Sequence, residues 1–483
     1  MVPPPIPTSF RQFSLHTIYS LIINSLGKVL LLLSHILIAR VYGAHAFGSF
    51  VIALGVMRGI NVLISSGYTN LFIKYNLAFH TNETFRKYVY KTFGKWLITL
   101  SIIGVIALGV WQPNLEAFAK LNALPIPMEV LLGFGFLLAV LMLFRAYLIG
   151  KKQVILGLSV KEIIFNLLFI LFLLLGTLVI PDDQGIYYAY GLALGGSILT
   201  GFFFERRKGG PITEVPFGEQ ERKKVRQFIL FVYINGLFQY LYSWIDTLLV
   251  GAMISPLEAG HYRAAYQLAQ VFYLLKMALN QIIGPHITEL NLQRKYQEMA
   301  HYYRFAVWGM FYLILPLVCV LVPFGDRILS FFGSSFTVAY LPLILLLGGQ
   351  LISILVGPAG IFLILLGAER LALANIIITA LLNIFLNVIL IPRYGILGAA
   401  IASSLSLTVV MLFRVVEVNR LYKLQPISWD LVYSFAGGAV YTLLLLYLQH
   451  IESWGVLLVA TIGALFVYLK FGLATWNKTW KTT

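Results

Sequence analysis

Long apolar stretches dominate the chain, and they recur at intervals that suit membrane-spanning helices. A helix needs about 20 apolar residues to cross the hydrocarbon core of a bilayer, and the sequence offers about 14 such stretches between residues 15 and 473. One of them covers residues 257–285, and two late ones cover 371–391 and 395–417. We therefore predict an all-α integral membrane protein with about 14 transmembrane helices.

Composition and charge support this prediction. The chain is 59% hydrophobic and 11% charged with a mean hydropathy of +0.86, which excludes a soluble globular protein. Its net charge of +16 could suggest a nucleic-acid partner, but the 35 Lys and Arg residues are distributed unevenly. Only Arg40, Lys120, Arg327 and Arg393 fall in predicted outer loops. The bias predicts cytoplasmic N- and C-termini, contact with membrane lipids and no nucleic-acid partner.

A basic segment divides the predicted spans into two groups. Residues 206–226 contain glycine, proline and a run of cations, which predicts a cytoplasmic linker. We expect an N-terminal lobe of six spans over residues 1–205 and a C-terminal lobe of six over 227–417. An additional helix pair is predicted over 430–473.

The two predicted lobes resemble one another at an offset of 212 residues. The offset aligns Gly48 with Gly260 and Ala53 with Ala265. An even number of spans per lobe brings both halves into the membrane from the same side. The pattern therefore predicts a parallel pseudo-repeat about an axis along the membrane normal.

Four spans, the first pair of each lobe, carry polar residues at the i, i+4, i+7 spacing of a single helix face. These residues are Asn24, Lys28 and His35 in the first span; Arg58, Asn61, Ser65 and Thr69 in the second; Asn235, Gln239, Tyr242 and Asp246 in the seventh; and Arg263, Gln267, Gln270 and Gln281 in the eighth.

The cations of these faces are the strongest candidates for a binding site. Lys28 and Arg58 each lie about 16 Å from the outer end of their spans, and neither span contains a carboxylate. Cations at that depth favour an anionic ligand, although polar stripes also serve as interhelical hydrogen-bonding contacts. Asp246 is either a counter-ion of Arg263 or a proton or sodium site. Lys276 lies about 140° from Arg263 on a continuous helix and is expected to face away from the others.

Motifs for catalysis are absent from the sequence. There is no HExxH, CxxC or Walker loop, so we expect no catalytic residues, no metal site and no direct use of ATP.

Three stretches resemble a known family: Leu37 to Tyr75, Ile245 to Leu290 and Gly367 to Ala402. The last contains the most specific run, LIPRYGILGAA. On these stretches the chain resembles the oligosaccharide-lipid flippases, of O-antigen and polysaccharide type, in the multidrug/oligosaccharidyl-lipid/polysaccharide exporter superfamily.

This resemblance implies alternating-access transport of a polyprenyl-diphosphate-linked glycan across a bacterial inner membrane, for lipopolysaccharide or other surface polysaccharide. Lys28, Arg58 and Arg263 would meet the anionic head, with Asn24, Asn61, Asn235, Gln239, Gln267 and Gln270 also lining the cavity. No cofactor is implied beyond H⁺ or Na⁺ coupling, for which Asp246 is the candidate. The resemblance implies a functional monomer and leaves open an association with polysaccharide polymerase machinery.

Two alternatives remain open at this point. An ion-coupled multidrug exporter of the same superfamily is the first, although exporters of cationic drugs need acidic cavities. A membrane enzyme acting on lipid-linked sugars is the second, and it would need a larger outer loop than the sequence provides.

Overall fold

A computed structural model of the protein describes residues 10–75, 82–100, 125–180, 182–205 and 217–424. Every regular element in these ranges is helical, as the apolar pattern predicts. Nine helices within them are long and apolar enough to cross a membrane. The all-α membrane fold is therefore confirmed. The total of about 14 spans stays a prediction, and the helix pair predicted over 430–473 lies outside the described residues.

The chain divides into two compact units, Met1–Gly260 and His261–Thr483. The helices that lie in the first unit, or begin there, are α1 (Phe10–Val41), α2 (Gly43–Lys74), α3 (83–100), α4 (Met128–Gly150), α5 (Val154–Val179), α6 (Gln184–Phe204), α7 (Glu219–Met253) and α8 (Pro256–Ala269). The later helices are α9 (Val271–Leu292), α10 (Tyr296–Leu329), α11 (Tyr340–Val356), α12 (Ala359–Leu365) and α13 (Glu369–Tyr422). The two lobes predicted from the sequence repeat divide at residues 206–226 and not at Gly260. They stay a prediction.

Helix α2 is the centre of the first unit. It packs most extensively against α4 and α7, and Phe47, Phe50 and Met57 on it are completely buried. Glycines permit these close approaches, because small residues let membrane helices pack backbone to side chain. A Cβ added at Gly59 would lie 2.7 Å from the Tyr240 hydroxyl of α7. The face of α7 is thereby held close to the face of α2.

The two glycines that the 212-residue offset aligns are in direct contact. A Cβ added at Gly260 would lie 3.0 Å from the Cα of Gly48, and one added at Gly48 would overlap the carbonyl of Pro256. Neither position has room for a side chain. Helix α8 therefore packs against α2 backbone to backbone at this point.

One predicted helix boundary needs correction. The eighth span, predicted as continuous over 257–285, breaks at Gln270, where α8 ends and α9 begins. The spans predicted at 371–391 and 395–417 are present as two helical segments, in agreement with the prediction. They join in α13 at a kink beside Pro392, where Gly395 adopts φ 58°. Only glycine adopts such a backbone readily, and proline removes a helical hydrogen bond.

We expect Gly48→Ala to lower the thermal unfolding midpoint of the purified protein. The added Cβ meets backbone that cannot move independently, and such overpacking costs about 1–3 kcal/mol. Differential scanning fluorimetry in detergent measures the midpoint. Gly195→Ala is the matched control, because a Cβ there meets nothing within 4 Å and alanine favours helix. An unchanged midpoint for Gly48→Ala would show that the contact is not tight.

Candidate functional site

A polar cavity of about 320 Å³ lies inside the first unit. Its walls come from six helices, α1, α2, α4, α5, α6 and α7. The ionisable Lys28, Arg58, Lys161 and Glu162 line it together with His35. Three cations therefore face one carboxylate, and the cavity is cationic.

Five of the predicted binding residues line this cavity. They are Lys28, Arg58, Asn61, Asn235 and Gln239. The spacing along the helix faces thus predicted which faces of α1, α2 and α7 line a common cavity. That these side chains bind substrate stays a prediction.

The other predicted residues lie elsewhere. Asn24 does not line the cavity, and its Nδ2 donates to the Ser20 carbonyl at 2.7 Å within α1. Arg263 belongs to the second unit and is 7% exposed, with its guanidinium 5.0 Å from the centroid of the Tyr266 ring. Gln267 and Gln270 lie on the same stretch, and Gln270 forms the break between α8 and α9.

Asp246 is buried in α7 at 1% exposure, outside the lining of the cavity. A carboxylate in that position is costly unless it is paired or protonated. A role of Asp246 in ion coupling stays a prediction.

Aromatic rings hold the cations of the cavity in place. The Arg58 guanidinium lies 4.9 Å from the centroid of the Trp244 ring, and the Lys161 ammonium lies 4.9 Å from that of Phe165. Such contacts stabilise a desolvated cation by about 2 kcal/mol. Tyr240 also lines the cavity, and its hydroxyl donates to the Gly55 carbonyl at 2.8 Å. Two of the three cations of the cavity thus lie against aromatic ring faces.

A π-helical turn in α5, Val160–Ile164, supplies two of the charges. The extra residue in such a turn shifts the direction of the side chains that follow, and π turns often mark functional sites. The Val160 carbonyl accepts hydrogen bonds from both the Phe165 amide and the Ser197 hydroxyl. Lys161 and Glu162 consequently point into the cavity rather than along the regular face of the helix.

Asn166 anchors this turn to α1. Its Nδ2 donates to the Gly27 carbonyl at 3.1 Å and to the Glu162 carbonyl at 2.7 Å. A Cβ added at Gly27 would lie 2.6 Å from the Cβ of Glu162, so the two helices are in direct contact. Lys28 on α1 is thereby brought beside the π turn.

The spacing along the helix faces predicted neither Lys161 nor Glu162 as a residue of the cavity. In the structure Glu162 lies within electrostatic reach of Lys161, Lys28, Arg145 and Arg58 together. The available signal was a Lys-Glu pair early in an otherwise apolar run of α5. A 100° helical period cannot assign their direction, because the π turn breaks that period.

Lys276 is not part of this arrangement. The angle derived for it assumed a continuous helix, which is wrong because Lys276 lies on α9, beyond the break at Gln270. Its ammonium donates to the Ser353 carbonyl at 2.9 Å and to the Ser353 hydroxyl at 2.8 Å. The Lys276 side chain is thus held by a residue of α11.

The chemistry of the cavity is that of binding. Cations, amides and hydroxyls suit an anion that carries hydrogen-bonding groups. Across the described residues there is no group of three or more His, Cys, Asp and Glu side chains that could hold a metal.

Comparisons with known proteins agree with the predicted family. The sequence pattern of the family described as "Polysaccharide biosynthesis protein" matches residues 16–290, more than half of the chain. The MatE family pattern matches residues 232–389.

Two relatives come from Haloferax volcanii. "Probable low-salt glycan biosynthesis flippase Agl15" is 29% identical over 177 residues, which make up 36% of this chain and 38% of the relative. "Probable flippase AglR" is 27% identical over 202 residues, 41% of this chain and 42% of the relative. The chain thus spans about two fifths of the length of each of these relatives.

Solved structures share the fold. An inward closed conformation of the lipid II flippase MurJ superimposes with a TM-score of 0.71 at 16% identity, covering 97% of this chain and 99% of that one. An inward-facing multidrug resistance MATE family transporter gives a TM-score of 0.64 at 14% identity, covering 84% and 99%. The solved structures show the shared fold, and the family match over more than half of the chain shows that the chain belongs to the polysaccharide biosynthesis protein family.

Proposed function

We propose that this protein is a flippase that moves a lipid-linked oligosaccharide across the membrane by alternating access. The observation that carries the proposal is the interior cavity in which Lys28, Arg58 and Lys161 face a single carboxylate, Glu162. A cluster with that excess of positive charge favours the binding of an anion. The polyprenyl-diphosphate linkage of a lipid-linked glycan provides such an anion.

The same cavity provides groups that suit the sugars. Asn61, Asn235 and Gln239 offer amide donors and acceptors to hydroxyl groups. Phe50 and Tyr190 belong to an aromatic wall, their ring centroids 5.8 Å apart, and aromatic faces pack against the C–H faces of sugar rings. The diphosphate would therefore lie at the cations and the first sugars against the amides and rings.

The relatives support the lipid-linked glycan. Agl15 is named a glycan biosynthesis flippase and MurJ a lipid II flippase. For this chain we propose O-antigen or a related surface polysaccharide as the glycan, and a bacterial inner membrane as the location. We further propose that it functions as a monomer, with association to polymerase machinery open to test.

A multidrug exporter is the second candidate, favoured by the MatE match over residues 232–389. The charge of the cavity argues against export of cationic drugs, because the net positive potential repels them. Coupling to a proton or sodium gradient is compatible with both functions, and we propose Asp246 as the residue that carries it.

We expect Arg58→Ala and Lys28→Ala each to lower the transport rate strongly. Each change removes a charge-assisted contact to the diphosphate, and each such contact is worth about 1.5–3 kcal/mol, so the rate falls by about ten-fold or more. The assay reconstitutes the protein in vesicles and follows a labelled polyprenyl-diphosphate glycan from one leaflet to the other.

Lys276→Ala is the control for this assay, since its ammonium is held by Ser353 outside the cavity. It is expected to retain transport. Wild-type rates in Arg58→Ala would refute the assignment of that residue. Drug efflux without movement of any glycan lipid would favour the exporter instead.

Neutralising Lys161 and neutralising Glu162 are expected to change the affinity for an anionic ligand in opposite directions. Lys161→Gln removes a positive charge and weakens binding of a labelled polyprenyl diphosphate, whereas Glu162→Gln removes the opposing charge and strengthens it. A unit charge about 8 Å away is worth about 2 kcal/mol at an effective dielectric constant of about 20, so each change is about ten-fold or more. Microscale thermophoresis of purified protein measures both dissociation constants. Weaker binding by folded Glu162→Gln would contradict this account of the cavity.

The proposed orientation places both termini in the cytoplasm. A cysteine introduced as Lys120→Cys should react with a membrane-impermeant maleimide on intact cells, and one introduced as Lys208→Cys only after lysis. The background for both is Cys319→Ser, which removes the single native cysteine. The reverse labelling pattern would overturn the orientation.

A further inference from the structure

A second cavity of the first unit is a groove of about 560 Å³ on α2, α3 and α7. We call it the interfacial groove. Six of its lining residues carry the argument: Tyr68, Lys95, Trp96, Arg226, Ile229 and Tyr233.

The interfacial groove is separate from the central cavity. On α2 the central cavity uses residues 50–62, and the groove begins at Gly67. On α7 the groove uses residues 226–233, and the central cavity begins at Asn235. Since no residue is shared, the proposed transport site does not account for the groove.

The charge of the groove is of one sign. Lys95 and Arg226 line it and are exposed, and no Asp or Glu lies among its lining residues. Another cation lies nearby on α2, where the Lys74 ammonium is 4.1 Å from the centroid of the Phe228 ring. The groove is therefore complementary to an anionic group.

The wall of the groove is aromatic and fixed. The Trp96 indole donates from Nε1 to the Leu63 carbonyl at 3.0 Å, and its ring meets Tyr233 edge-on at 5.2 Å between centroids. Tyr68 packs edge-on against Phe93 at 4.6 Å. Tryptophan and tyrosine prefer the boundary between head groups and hydrocarbon, because one end of each side chain is polar and the rest apolar.

The position of the groove along the chain suits the cytoplasmic membrane surface. It lies toward the end of α2 and in the first half of α7, which follows the basic segment that the charge bias assigns to the cytoplasm. The cytoplasmic leaflet carries anionic lipids, which attract Lys and Arg at the surface.

We propose that the interfacial groove binds an anionic phospholipid of the cytoplasmic leaflet. Its phosphate lies between Lys95 and Arg226, and the upper part of an acyl chain lies along Trp96, Ile229 and Tyr233. Exposed cations give modest affinity, so the abundant phospholipid occupies the groove by mass action rather than the scarce glycan carrier. This binding does not depend on transport through the central cavity.

Quenching of Trp96 by brominated lipid tests the proposal. The full-length protein is placed in phosphatidylcholine nanodiscs that contain a minor, equal fraction of brominated phosphatidylglycerol or brominated phosphatidylcholine. The chain has 8 tryptophans, so the contribution of Trp96 is the difference between wild type and Trp96→Phe. We expect this contribution to be quenched more strongly by brominated phosphatidylglycerol.

The double variant Lys95→Gln/Arg226→Gln should remove that preference. Each interfacial cation is worth about five-fold in affinity for an anionic lipid, so the apparent affinity falls by about 25-fold. Lys91→Gln/Lys224→Gln is the matched control, because it removes one exposed cation from each of the same two helices outside the groove lining. It should retain the preference.

Three outcomes would overturn the proposal. One is equal quenching by both lipids in the wild type. Another is a preference that survives in Lys95→Gln/Arg226→Gln. The third is displacement by unlabelled polyprenyl phosphate at far lower concentration than by phosphatidylglycerol, which would identify the carrier lipid as the occupant.

Discussion

The cost of holding cations at bilayer depth is the constraint on which the first unit depends. Lys28, Arg58 and Lys161 share one interior cavity with Glu162 as its carboxylate. Burial without compensation would cost several kcal/mol per charge, and the structure reduces that cost with ring faces rather than with a matched set of acids. Arg58 lies against Trp244 and Lys161 against Phe165. The cavity thus carries an excess of positive charge that favours an anion.

Backbone geometry makes this arrangement possible. Glycines on α2 bring α7 close enough for Tyr240 to donate to the Gly55 carbonyl. The π turn of α5 aims Lys161 and Glu162 inward, while Asn166 holds the turn against α1 through the Gly27 carbonyl. Close helix contacts at glycine positions and one π turn therefore bring charged side chains together between helices that are otherwise apolar.

Much of this could be predicted from the sequence. The length of the apolar stretches predicted the all-helical membrane fold. The i, i+4 spacing predicted that Asn235 and Gln239 lie on one face of α7, and both line the cavity. Deep cations stood out because little else in α1 and α2 is charged. The rest depended on departures from ideal helices. The π turn concealed the direction of Lys161, and the break at Gln270 invalidated the angle between Arg263 and Lys276. Periodicity assumes a uniform 100° per residue and cannot register such departures.

The most direct test of the central claim is an electron cryomicroscopy structure of the protein with a polyprenyl-diphosphate oligosaccharide. The account predicts density for the diphosphate in the central cavity, in contact with Lys28, Arg58 and Lys161, and sugars beside Asn61, Asn235 and Gln239. Density for the diphosphate outside this cavity, with the cavity occupied only by water, would contradict it.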